Sequence, residues 1–85
     1  MQVEYIVNDA ACCLEVRING KAQFLVTPAL LWSDERDGVL GYLRRVADQL
    51  NGLHSAGRVD RAAALLMQAD RHVHHGRRTD YEIAD

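Results

Sequence analysis

The sequence lacks what several large classes of protein require. It has one proline, one lysine and no apolar run near the roughly 20 residues that would span a bilayer. Its first nine residues carry two acids and no basic residue, so they do not have the pattern of a secretory signal. The net charge of −2 gives no overall attraction to nucleic acid or anionic lipid. A membrane protein and a polybasic binder are therefore disfavoured.

Cysteine is scarce, because Cys12 and Cys13 are the only two. A disulfide between adjacent residues would need a strained turn, so the pair is typical of a reducing compartment and predicts a cytoplasmic protein. Neighbouring side chains on a strand point to opposite faces. We therefore expect one buried thiol and one partly exposed thiol.

What is present indicates one small globular domain covering residues 1–85. Hydrophobic residues make up 48% and charged residues 26%, a composition typical of a folded chain. A domain of this size buries a limited core, which leaves a homodimer or stabilisation by a partner open. Nine of the ten basic residues are arginine and alanine is frequent. This bias favours a bacterial or phage origin.

Residues 1–27 have the β-branched and aromatic composition of strands, and Asn19-Gly20 is a strong β-hairpin signal. A three-residue loop ending in a left-handed Gly20 pairs Leu14 with Phe24 and gathers the apolar residues on one face. A two-residue loop would put Phe24 on the polar face, so we predict the three-residue loop with a glycine bulge. The predicted strands cover residues 3–7, 11–18 and 21–27.

Residues 33–76 have the 3–4 spacing of two amphipathic helices. Ser33 or Asp34 is the expected N-cap of the first helix, Asp60 that of the second, and Gly76 the final C-cap. The turn between them is expected at residues 55–57. The two apolar stripes are Val39, Leu43, Val46, Leu50 and Leu53 in the first helix, and Val59, Ala62, Leu66, Ala69 and Val73 in the second.

These elements predict an α+β fold, in which a three-stranded antiparallel sheet is followed by an antiparallel helix hairpin packed on one face. Residues 77–85 form a tail or a short edge strand. The predicted core consists of Leu14, Val16, Phe24, Val26, Leu43, Val46, Leu50, Leu66 and Val73.

Three histidines, His72, His74 and His75, raise the question of a metal site. Two of them could share one helix face, but no Cys-x-x-Cys or His-Glu-x-x-His frame supplies the remaining ligands. Histidines near a helix C-terminus also suit the helix dipole. We therefore predict no metal and no cofactor.

The chain also lacks the residue patterns of common enzymes. No glycine-rich phosphate loop is present, and both cysteines lie in a predicted strand rather than at a helix N-terminus. Residues 34–37 contain three acids, which suit the start of a helix better than acid–base chemistry. A chain of this length also leaves little room for a deep cleft. The sequence therefore predicts a non-enzymatic binding protein.

Between residues 58 and 78, five arginines stand against two aspartates. Arginine offers planar, multidentate donors to carboxylates or phosphates, and tryptophan and arginine are enriched at protein interfaces. We expect docking on an acidic protein surface, as an inhibitor, immunity protein or factor that evades host defence. The alternative is a nucleic-acid-binding or transcription-regulatory domain that uses the second helix. The predicted partner-binding residues are Arg58, Arg61, Arg71, Arg77, Arg78 and Trp32.

Overall fold

A computed structural model describes residues 2–28 and 36–75. It has a three-stranded antiparallel sheet followed by two helices packed against it, which confirms the predicted α+β class. The strand order is β1-β2-β3, so β2 is central. The elements are β1 (Val3–Asn8), β2 (Cys13–Ile18), β3 (Lys21–Val26), α1 (Arg36–Ser55) and α2 (Val59–His75).

The hairpin lies at Asn19-Gly20 as predicted, but the predicted three-residue loop is wrong. Ile18 pairs with Lys21 across a two-residue loop, in which both loop residues have positive φ. The extra residue lies instead inside β3, where the register shifts after Arg17 pairs with Ala22. This bulge returns the following β3 residues to the apolar face of β2.

The turn between β1 and β2 is longer than predicted, and β2 begins at Cys13 rather than at residue 11. Cys12 has a left-handed backbone with φ of 50°, and its N–H donates to the Asp9 carbonyl. The carboxylate of Asp9 also accepts a hydrogen bond from Arg44 of α1 at 2.8 Å. The Arg36 guanidinium donates to the carbonyls of Asp9 and Ala10. These contacts connect the turn to α1.

The core lies between one face of the sheet and the two helices. Seven of the nine predicted core residues are buried: Leu14, Val16, Val26, Leu43, Val46, Leu50 and Val73. Leu66 is partly buried against them. Phe24 is wrongly predicted to be in the core, because it lies on an edge strand and its side of the sheet is incompletely covered.

The connection between the helices is closed by main-chain hydrogen bonds. Gly57 has φ of 76°, its N–H donates to His54, and the Arg58 N–H donates to Leu53. This is a Schellman ending of α1. Because α2 begins at Val59, Asp60 lies in the first turn and is not the predicted N-cap. The caps expected at residues 33, 34 and 76, and the tail 77–85, lie outside the described residues.

In the two described stretches, neither helix combines the length and the apolar character that crossing a bilayer requires.

Candidate partner-binding surface

An open cleft of about 710 Å³ separates α2 from the edge strand β3. Phe24 forms its strand side, on the face of the sheet that carries the core. Residues 66, 70 and 74 of α2 recur at four-residue spacing, which places them on one side of the helix. We call the cleft and its rim the α2–β3 surface, lined by Phe24, Leu66, Met67, Asp70, Arg71 and His74.

The α2–β3 surface exposes large apolar side chains. Phe24 is 44% exposed and Met67 is 70% exposed. Val59, which was expected in the buried stripe, is 53% exposed at the start of α2. Val59 and Met67 are eight residues apart and so lie on the same side of the helix. Exposed apolar side chains therefore occur both at the cleft and at the start of α2.

Arg71 supplies a charge to this apolar cleft. Its side chain is exposed and forms no ion pair or hydrogen bond with the part of the chain that the structure describes. Neighbouring Asp70 is contacted by His74, whose Nδ1 donates to the Asp70 carbonyl at 2.8 Å and lies 3.4 Å from its Oδ1. No carboxylate of the described residues therefore pairs with the guanidinium of Arg71.

Arg58 and Arg61 lie at the other end of α2 and are also exposed. Arg61 is ten residues from Arg71, about 15 Å along the helix axis. Cations at a helix N-terminus oppose the helix dipole, so these two arginines do not stabilise α2 by that route. The three described arginines of this segment therefore lie at two ends of α2 rather than in one patch. Arg77, Arg78 and Trp32 lie outside the described residues.

The two histidines of α2 whose side chains the structure describes, His72 and His74, do not converge on one point. His72 packs against Tyr42 of α1, with ring centroids 4.9 Å apart, whereas His74 lines the cleft. Across residues 2–28 and 36–75, no three His, Cys, Asp or Glu side chains are grouped so that they could hold a metal ion.

Both cysteines are free and buried, with exposed fractions of 2% for Cys12 and 4% for Cys13. The expected partial exposure of one thiol is therefore wrong. Cys13 lies at the start of the central strand, where it pairs with Asn8 of β1. Burial raises the pKa of both thiols, which disfavours the nucleophilic thiolate.

Sequence reasoning identified Arg71 but missed Phe24 and Met67 as surface residues. The four-residue spacing of Val59, Ala63 and Met67 beside the buried stripe was the available signal. Which side of α2 is covered depends on where the helix sits on the sheet, which local spacing does not specify.

Compared with known proteins, the chain matches no family model, no curated protein and no solved structure.

Proposed function

We propose that this chain is a non-enzymatic protein-binding module that docks on an acidic surface of a partner protein. The observation that carries the proposal is the α2–β3 surface, where exposed Phe24 and Met67 adjoin Arg71. Phenylalanine, methionine and arginine are among the residues enriched at protein interfaces. Arg58 and Arg61 extend the contact along α2, and Arg77, Arg78 and Trp32 stay predicted contributors.

The two free cysteines support action in a reducing cytoplasm, and the composition supports a bacterial or phage source. An inhibitor, an immunity protein or a factor that evades host defence would suit a chain of this size. Binding to nucleic acid is less favoured, because the net charge of −2 opposes an extended polyanion, whereas the exposed apolar side chains of the α2–β3 surface suit a protein partner.

The test is affinity capture from extracts of the source cells with the full chain as bait. Arg71→Gln and Gln49→Glu each lower the net charge by one, but Gln49 is an exposed residue of α1. We expect Arg71→Gln to weaken capture of a specific acidic protein by about 2 kcal/mol, the hot-spot scale, and Gln49→Glu to leave it unchanged.

A double variant, Arg58→Gln with Arg61→Gln, measures the contribution of the other end of α2. Nuclease-sensitive capture, with similar losses for every arginine and a steep salt dependence, would assign the surface to nucleic acid instead. Protein capture that survives all three arginine substitutions in folded protein would contradict the proposal.

A further inference from the structure

Among the described residues, the two outer strands of the sheet, β1 and β3, differ in what contacts their outer edges. On β1, the side-chain amide of Asn51 from α1 bonds both main-chain groups of Tyr5. The Tyr5 N–H donates to Asn51 Oδ1 at 3.2 Å, and Asn51 Nδ2 donates to the Tyr5 carbonyl at 2.9 Å. At Tyr5, a side-chain amide thus takes the place of a neighbouring strand and closes the edge at this residue.

The alternation of hydrogen-bonded and non-hydrogen-bonded pairs along the sheet shows which main-chain N–H and C=O groups of β3 point away from β2. Because the main-chain groups of Tyr5 point away from β2, those of Val16 opposite it point towards β3. Phe24 pairs with Val16, so Phe24 points its groups inward and the next residue, Leu25, points its N–H and C=O outward. No hydrogen bond from residues 2–28 or 36–75 reaches these groups of Leu25.

The side chains along the β3 edge offer binding positions on both faces. Residues 21–25 are all exposed. A strand added beside β3 would place alternate side chains in the cleft next to Phe24 and Met67, where Arg71 is also reached. Its other side chains would lie beside Leu25, which is 52% exposed on the outer face.

We propose that the partner inserts an extended segment that adds to β3 as a fourth strand, with an apolar and an acidic side chain facing α2. This inference rests on the proposed protein-binding function and specifies its mode of recognition. Strand addition gains affinity from main-chain hydrogen bonds and specificity from alternate side chains. The cleft supplies the apolar contact, and Arg71 selects the carboxylate.

Charge favours an acidic segment over a second copy of this chain. The strand β3 has no acidic residue and carries Lys21, which forms no ion pair within the described residues. An antiparallel pair of β3 strands related by two-fold symmetry would bring the two α2 helices side by side on one face. Both copies would then add Lys21 and Arg71 to the same face without supplying a carboxylate from β3.

The test selects binders to the full chain from a displayed library of random dodecapeptides, followed by titration with a labelled consensus peptide. We expect a consensus with period-two alternation, in which an apolar and an acidic residue occupy positions i and i+2. Binding should raise the protection of the Leu25 amide against hydrogen exchange, because that N–H then donates to the peptide.

Two substitutions separate the main-chain contribution from the charge. Leu25→Pro removes the outward N–H without removing an inward one, and we expect about tenfold weaker peptide binding or more. Arg71→Gln should cost about tenfold or more through the lost charged hydrogen bond. The matched variant Gln49→Glu should change the affinity by about twofold or less, as expected for a distant screened charge.

Several outcomes would overturn strand addition. A consensus with helical spacing, or peptide binding that leaves Leu25 amide exchange unchanged, would exclude it even if Leu25→Pro failed to fold. If light scattering shows that the natural chain is a dimer and that Leu25→Pro is a monomer, the β3 edge binds a second copy of this chain instead. If a partner protein is captured but neither the period-two consensus nor the Leu25 amide protection is found, strand addition is wrong and the protein-binding function stands. If no protein is captured, the proposed function itself is wrong.

Discussion

The two helices cover the same face of the sheet with side chains of very different size. On α1 the fully buried residues are Val39, Leu43 and Leu50, whereas the buried residues of α2 are Ala62, Ala69 and Val73. Burying a leucine side chain contributes about 1.5–3 kcal/mol, far more than burying the single methyl group of an alanine. The comparison teaches that α1 supplies more of the fully buried core than α2 does, while the largest side chains that α2 packs against the core, Leu65 and Leu66, are only partly buried.

The largest expected difference in stability loss on substitution by alanine is between Leu50, in the core on α1, and Met67, exposed on α2. Leu50→Ala should lower the free energy of unfolding by about 2–5 kcal/mol, because it leaves a cavity among fully buried neighbours. Met67→Ala should change it by about 0.5 kcal/mol or less, since Met67 is 70% exposed. Urea denaturation of both variants measures the two values, and similar losses would show that α2 shares the core equally.

Asn51 tests how α1 is held to the sheet edge. Asn51→Ala leaves the Tyr5 main chain without both hydrogen bonds, and we expect a loss of about 1–2 kcal/mol. Asn51→Asp keeps an acceptor for the Tyr5 N–H, but at neutral pH its ionised carboxylate sets a second acceptor against the Tyr5 carbonyl, so it should recover stability only at acidic pH, where the protonated carboxyl donates. An Asn51→Ala variant with unchanged stability and unchanged exchange of the Tyr5 amide would contradict the closed edge.

Two glycines test the turn that joins the helices. Gly57→Ala should cost about 1 kcal/mol, because a side chain at φ of 76° is strained whatever space surrounds it. Gly52→Ala, inside α1 with no atom within 4 Å of the new methyl group, should gain about 0.5–1 kcal/mol from helix propensity. Thermal unfolding distinguishes the opposite signs, and a stabilising Gly57→Ala would argue against the Schellman ending.

Sequence periodicity predicts correctly the elements that bury one regular stripe of apolar side chains. The 3–4 spacing of α1 predicts the residues that face the core, and Asn19-Gly20 predicts the hairpin. It did not predict the hairpin register, because an extra residue at Gly20 or inside β3 places Phe24 on the same apolar face. Only the packing of the complete sheet decides between these two bulges.

The candidate surface was harder to predict because it depends on contacts between distant elements. Phe24 lies on the predicted face, yet β3 is at the edge and α2 covers it incompletely. The local sequence does not indicate the role of Asn51. An exposed asparagine in a helix can bond the main chain of Tyr5 only because β1 lies beside α1 in the folded chain. Composition pointed to Arg71, whereas its apolar neighbours became evident only in three dimensions.

The smallest expected effect concerns Glu15, which lies on the outer face of β2, away from both helices. Its carboxylate accepts hydrogen bonds from Asn8 at 3.0 Å and from Arg17 at 2.9 Å, and these lower the pKa of Glu15. A lowered folded pKa gives stability that is present above the unfolded pKa and is lost as the pH falls through the folded value. The difference in unfolding free energy between the natural chain and Glu15→Gln should therefore be largest near neutral pH and disappear as the pH falls below the ordinary range of a glutamate carboxyl. Urea denaturation of both proteins from neutral to acidic pH measures this difference in unfolding free energy. A difference that grows as the pH falls would show that these hydrogen bonds do not favour the charged carboxylate.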